Sequence, residues 1–428
     1  MKFVTLDINY SKLYKDQLQQ KNMSLNITKI IGDINELAKH LIQSITENNN
    51  KIYKAKDTLE TVTATTLLEQ LKNLSAGFDF PSPAELVDTI SENIPAKPLP
   101  ENFRVIGIDG SHIDVDRHIA IDCYLINIGG CILIYGQKPE AHLFNNPKLY
   151  SDYEELHIID PSIKTREIPV TGELLGLTRD IQEVESLANT IEETKSRLPT
   201  IAFLDGTLIK WGFPATGSDF LRDYFIKKGI VKSLNKIENI ASKNPLGVVS
   251  YISKPRATDI VNLLRISNNY CPFSTTDCRS NCSTFEHTKR PCSDLNNMLD
   301  RDIFSLMLKP LHRSSLFKSS STIVKNYYQT HQIFFYYVNT GYEIARIELP
   351  QWVAMNKNIL ELSHSIVLQQ SKKGLGYPVC ISEAHEQAIL TISDRKEFET
   401  IIERTIQQHN LLGSGSSEKS KSKRIKAI

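Results

Sequence analysis

Two short stretches, Val105-Ile106-Gly107-Ile108-Asp109-Gly110-Ser111 and Thr200-Ile201-Ala202-Phe203-Leu204-Asp205-Gly206-Thr207, share one pattern: an apolar run that ends in Asp-Gly followed by a hydroxyl residue. A short apolar run bounded by a turn signal reads as a buried strand, so the chain is expected to build a buried sheet, with each aspartate where a strand leaves it. Converging carboxylates repel one another unless a cation offsets their charge, and carboxylate oxygens are the ligands that Mg²⁺ and Mn²⁺ prefer. The chemistry this favours is metal-assisted phosphodiester hydrolysis. Asp-Gly is also an ordinary turn dipeptide, and pattern alone leaves the structural and catalytic readings level.

At 428 residues, 40% hydrophobic and 23% charged, the chain has the composition of a soluble globular protein with room for two or three domains. The net charge of +1 assigns any nucleic-acid surface to a local basic patch rather than to the global field. Residues 1–20 are mixed and polar and no stretch reaches the length of a membrane span, so a cytoplasmic location without membrane is expected. Seven cysteines without a secretory signal fit a reducing compartment.

Residues 1–100 read as a helical region, with apolar residues at helical spacing in segments 30–42 and 61–71. Phe80-Pro81-Ser82-Pro83 interrupts it, and Pro95, Pro98 and Pro100 mark a linker. From Phe103 strands are expected, with Ile119–Ile126 and Cys131–Tyr135 flanking a hairpin turn at Asn127-Ile128-Gly129-Gly130, and Cys123 and Cys131 in the core. A helix over Leu174–Ile191 then leads into the Asp205 strand, which makes the fold class α/β or α+β. At about 100° per residue, Glu183 stands about 90° from the apolar stripe of this helix. Glu185 flanks the other side, so spacing alone leaves the two glutamates equivalent, and either is also an ordinary solvated helix charge.

The order IGIDGSH, RDIQEVESL, IAFLDGTLI, VVSYISKPRATDIVNLLR, RIELPQW and GYPVCISEAHEQAIL, running from about Phe103 to about Ile392, resembles the NurA family of repair nucleases. The resemblance implies an α/β, RNase H-like mixed sheet flanked by helices. It implies a Mn²⁺- or Mg²⁺-dependent deoxyribonuclease that acts as a 5′–3′ exonuclease, with single-strand endonuclease activity beside it. Such an enzyme works as a homodimer in double-strand break end resection with a HerA-type hexameric ATPase. Carried over by motif, Asp109 and Asp205 match the metal-binding aspartates. Glu183 matches the helix glutamate through its spacing from Arg179 and Leu187, with Glu185 as fallback, and Tyr377 and His385 match a late tyrosine and histidine. Asp109, Glu183, Asp205 and His385 are then the expected ligands of a cation pair, bridged by Asp109. Ser382 reads as an N-cap, which sets His385 in a first helical turn. Tyr377, with an ordinary phenol pKa, is expected to stack on a base or touch a phosphate.

Lys254 and Arg256 follow the apolar strand Val248–Ile252 and precede a helix near Thr258, so they are candidate DNA contacts or merely a solvated loop. Ser111 and Thr207 either donate to phosphate or satisfy their own turns, the second being favoured. Cys271, Cys278, Cys282 and Cys292, in a Cys-rich insertion at about 268–295, are a candidate structural zinc or iron–sulfur site, although paired C-x-x-C knuckles are absent. The nuclease domain is thus assigned to 101–393, a C-terminal helix with Phe398, Ile401, Ile402 and Ile406 on one side to 394–412, and a disordered basic tail to 413–428. Two other classes compete: a non-catalytic DNA- or partner-binding subunit on the same fold, and an actin-like phosphotransferase. The latter spaces its Asp and Gly by one residue, whereas here they are contiguous.

Overall fold

The computed structural model describes residues 29–74, 77–87, 89–114, 122–163, 166–211, 213 and 218–409. The expected basic tail, the first 20 residues and the start of the expected strand at Ile119 lie outside them. The chain divides into two units, residues 1–53 and 54–428. Helix α1 spans Ile31–Thr61 and accounts for nearly all the described residues of the first unit. In the second, α2 (Ala64–Lys72) starts at Thr63, whose hydroxyl accepts the Thr66 N–H.

The second unit is built on an 11-stranded mixed sheet. Its strands are β1 (Glu85–Leu86), β2 (Ile94–Pro95), β3 (Phe103–Asp114), β4 (Tyr124–Tyr135), β5 (Glu140–Tyr150), β8 (Thr200–Asp205), β9 (Leu246–Ile252), β10 (His312–Arg313), β11 (Phe317–Lys318), β12 (Ile333–Asn339) and β13 (Ile344–Pro350). A separate pair is formed by β6 (His157–Ile159) and β7 (Glu167–Pro169). The main order is β1-β11-β12-β13-β9-β8-β3-β4-β5. β8 lies parallel between β3 and β9, whereas β4 and β5 form an antiparallel meander on the far side of β3. The central strands are almost wholly buried and rich in Ile, Val and Phe, as expected of strands covered on both faces.

Helices cover both faces. On one lie α3 (Glu173–Glu193), a π-helix (Asp223–Val231) and α4 (Lys232–Ala241); Leu187, Ile191, Phe225 and Leu234 share a core with Ile106, Ile108 and Leu204. On the other lie α6 (Lys357–Lys373) and α7 (Val379–Ala388); Ile366, Val367, Cys380 and Ile381 share a core with Val105, Ile201 and Phe203. Between these come α5 (Asp259–Arg265) and, last, α8 (Ile392–Gln408), which opens with a Thr391/Asp394 capping box. Along α8 Ile406 is buried and Ile401 exposed, so its stripe packs only in part.

Three local expectations are corrected. Asn127-Ile128-Gly129-Gly130 is not a hairpin turn but the middle of one continuous 12-residue strand, β4. The glycine at 129 answers to packing: a β-carbon there would stand 2.3 Å from Ala388 N and 2.4 Å from Ala384 O, so α7 sits on bare backbone. Asp109 does not end its strand either, since β3 continues to Asp114 against β4. Finally, Ser382 caps nothing. Pro378, whose ring presets the backbone, precedes a helix that begins at Val379, so His385 falls in its last turn.

Candidate active site

The parallel ladder between β3 and β8 ends at the pair Ile108–Leu204. One step further along both strands stand Asp109, within β3, and Asp205, the last residue of β8, next to each other and on the same face. That register makes the two carboxylates close neighbours, and each carries its own donors. Asp109 Oδ1 accepts the Gly110 N–H at 2.8 Å, and its Oδ2 lies 2.7 Å from His385 Nδ1 on α7. Asp205 Oδ1 accepts the Gly206 N–H at 2.9 Å and the Tyr377 hydroxyl at 2.5 Å. The Tyr377 ring also meets Tyr251 edge-on, with ring centroids 5.3 Å apart. Burial and the Asp205 carboxylate push the Tyr377 hydroxyl far up, so it remains a proton donor to Asp205.

Glu183 arrives from the opposite layer. It is buried on α3, whereas Glu185 is exposed, so the helix phase that spacing left open is resolved by how α3 lies on the sheet. Glu183 Oε1 is 3.2 Å from Arg179 Nε, one helical turn away. Arg179 also bonds Asp180 at 2.7 Å, and Lys210 Nζ reaches Asp180 at 2.9 Å. Burial, with the Asp180 carboxylate beside it, pushes the Glu183 carboxyl up to about 8 despite the nearby Lys210 and Arg179; Asp109 adds to the rise. Asp180 is half-buried, yet Lys210 and Arg179 hold it below the usual carboxylate range. Gly110 permits the approach: a β-carbon there would stand 2.8 Å from Glu183 Oε1.

A buried polar network that sequence reasoning missed holds the turn after Asp205. Glu348 on β13 accepts from the Thr207 hydroxyl at 2.7 Å and the Leu208 N–H at 2.9 Å. Its other oxygen accepts from Arg346 Nε at 2.9 Å, and Arg346 Nη1 donates to Asp259 at 2.7 Å. The signal was present in RIELP: an Arg and a Glu two residues apart point to the same face of a strand, and a buried face would have to pair them. Ser111 and Thr207 accordingly serve the protein, donating to the Ala388 carbonyl and to Glu348.

Lys254 and Arg256 are both exposed beyond β9, and the Lys254 N–H donates to Glu343 at 3.1 Å. Among the described residues no group of three or more His, Cys, Asp or Glu side chains is gathered closely enough to hold a metal ion. At the sheet end His385 engages Asp109, Tyr377 engages Asp205, and Arg179 engages both Glu183 and Asp180. The four insertion cysteines, called above as a zinc or iron–sulfur site, are free thiols. Arg265 donates to Cys292 Sγ at 3.5 Å, and the Arg290 guanidinium stands near Cys282 and Cys278. Burial and the neighbouring Asp79 push the Cys278 thiol up to about 11.

These features define an α/β protein with an acidic, histidine-bearing site where the parallel pairing of β3 and β8 ends. The NurA domain profile matches residues 103–389, and the chain belongs to the NurA family of nucleases. Among solved structures it is similar to a crystal structure of NurA bound to dAMP and manganese, at 11% identity over 87% of this chain and 96% of that one, with a TM-score of 0.32. It is also similar to Aquifex aeolicus Argonaute (10% identity, 68% of this chain, 29% of that one, TM-score 0.26). A third is the C-terminal lobe of a budding yeast Argonaute (11% identity, 74% and 50%, TM-score 0.23). Comparison with curated proteins gives no match.

Proposed function

We propose that this chain is a Mn²⁺- or Mg²⁺-dependent deoxyribonuclease on an RNase H-like sheet. It is read as a 5′–3′ exonuclease with single-strand endonuclease activity that resects DNA ends as a cytoplasmic homodimer with a HerA-type ATPase. Family membership supports nuclease activity, and the sheet order β5-β4-β3-β8-β9, a meander joined to two parallel strands, supports the fold reading. Among the described residues no helix is long and apolar enough to cross a membrane.

The metal-dependent reading is supported by pairwise observations: Asp109 and Asp205 stand one step beyond the last pair of two adjacent parallel strands, Asp109 holds His385, and Asp109 adds to the rise of the buried Glu183 carboxyl. A buried carboxyl raised to about 8 is one whose charged form lacks enough positive charge around it, and a hard divalent cation would supply it. Asp109, Glu183, Asp205 and His385 would hold the metal, which when bound lowers the pKa of an attacking water and stabilises the leaving 3′ oxygen. The rest falls to the side chains. Asp109 fixes the tautomer and orientation of His385, and Tyr377 keeps its proton and fixes Asp205. Lys254 and Arg256 are assigned to the DNA backbone.

The test is cleavage of end-labelled single- and double-stranded DNA with Mn²⁺, Mg²⁺ or EDTA, comparing wild type with folded Asp109→Ala and Asp205→Ala. Metal-dependent cleavage lost in both variants is expected, and the product ladder gives the polarity. A folded wild type that cuts nothing, even with a HerA-type ATPase added, would instead make the chain a non-catalytic subunit.

A further inference from the structure

A cavity of about 560 Å³ opens beside the Asp205 turn, within the size range of small-molecule sites. Thr207, Ile209 and Trp211 line it from the segment after β8, Arg256 from the loop after β9, Pro81 from the chain before β1, and Arg346 from β13. Trp211 is 56% exposed, unusual for so large an apolar ring in a well-packed fold. Arg346, by contrast, is 4% exposed and still reaches the cavity wall.

The guanidinium of Arg346 is fixed on all sides but one. Its carbon lies 3.7 Å from the centre of the Phe335 ring, Nε donates to Glu348, and Nη1 donates to Asp259 and, at 3.3 Å, to the Tyr337 hydroxyl. Nη2 has no hydrogen-bond acceptor among the described residues, so a buried, immobile, charged group keeps two N–H donors for whatever enters. Charge decides what that is. Arg346 and Arg256 are matched in the lining by Glu348 and Asp259, which leaves no excess positive charge for a phosphate. A neutral, flat ligand with a carbonyl oxygen fits better: the ring stacks on Trp211 and the oxygen accepts from Nη2.

We propose that this cavity receives an unstacked nucleobase of a single DNA strand whose phosphate lies at Asp109 and Asp205. The inference rests on the nuclease reading and deepens it. Thymine, cytosine and guanine offer a ring carbonyl, and adenine does not. The cavity therefore favours the first three.

The test is binding of short dT, dA and abasic-spacer strands in EDTA, where metal-dependent cleavage is off, followed by Trp211 fluorescence in a Trp352→Phe background, since the chain has two tryptophans. Quenching by dT, about tenfold weaker binding of dA, and still weaker binding of the abasic strand are expected, the tenfold step being one charged hydrogen bond. With binding followed instead by the anisotropy of a fluorescein-labelled strand, Trp211→Ala should weaken dT binding by about tenfold and Trp211→Phe restore most of it. Equal affinity for dT and abasic strands, or no effect of Trp211→Ala, would overturn the inference while leaving Mn²⁺-dependent cleavage by the wild type untouched. Loss of both binding and cleavage in the wild type would refute the nuclease reading, and the inference with it.

Discussion

His364 gives the protein a specific acid sensitivity. It is 1% exposed on α6, edge-on to Tyr336 with ring centroids 6.2 Å apart, and burial, with Arg313 and His312 beside it, lowers its pKa to about 3. The folded state therefore holds a neutral imidazole, while the unfolded chain takes up a proton near pH 6.5. A depressed folded-state pKa means that the contribution to stability is complete above about pH 6.5 and is lost as pH falls toward 3. Each unit costs about 1.4 kcal/mol, so about 2 kcal/mol is lost by pH 5 from this residue alone. Urea unfolding of wild type and His364→Phe at pH 7.5 and 5.0 measures it. The variant, which keeps a ring against Tyr336, is expected to gain about 2 kcal/mol on the wild type between the two pH values. A gap that does not change with pH would refute the reasoning, because every other titrating group is common to both proteins.

Three further outcomes are expected. Glu348→Ala strands Arg346 in the core and releases the Thr207 turn, so it should cost about 3–5 kcal/mol in denaturant unfolding and reduce cleavage even where the protein is still folded. Gly110→Ala drives a methyl group into Glu183 Oε1 and Arg179 Cγ, at 2.8 and 3.0 Å, and should lower kcat far more than it lowers Tm; unchanged cleavage would remove Glu183 from the reaction. Metal analysis of purified protein should find well under one zinc or iron per chain held by thiols, because guanidinium groups already stand against Cys292 and Cys282, and stoichiometric thiol-bound metal would reverse that assignment.

What was legible in the sequence was what depends on neighbours along the chain. The two apolar runs declared the central parallel strands, and helical periodicity declared α3 but left open which of Glu183 and Glu185 it buries. What escaped was set by segments far away in sequence. Gly129 reads locally as a turn residue, yet its lack of a side chain answers to α7, some 250 residues later. The Thr207–Glu348 and Arg346–Asp259 contacts likewise join parts of the chain that no local pattern connects. At α7 two start signals competed, and a proline that presets the backbone outweighed a serine able to cap.

The site itself is a junction between two layers that the sheet otherwise keeps apart. Side chains alternate along β3: Ile106 and Ile108 face the α3 layer, while Val105, Asp109 and Ser111 face α7. Residue 110 therefore points at α3, and any side chain there would fence Glu183 off from Asp109. With glycine at 110 the barrier is backbone alone, and a carboxyl from one layer shares a field with an aspartate of the other. The Asp-Gly that first reads as a turn is, at 109–110, a gap in the sheet wall within an unbroken strand. At 205–206 the same dipeptide does end a strand, with Gly206 at φ +73° and its N–H bonded to the Tyr251 carbonyl. One sequence pattern thus serves two physical ends: at 109–110 it thins the wall between Asp109 and Glu183, and at 205–206 it turns the chain out of the sheet after Asp205.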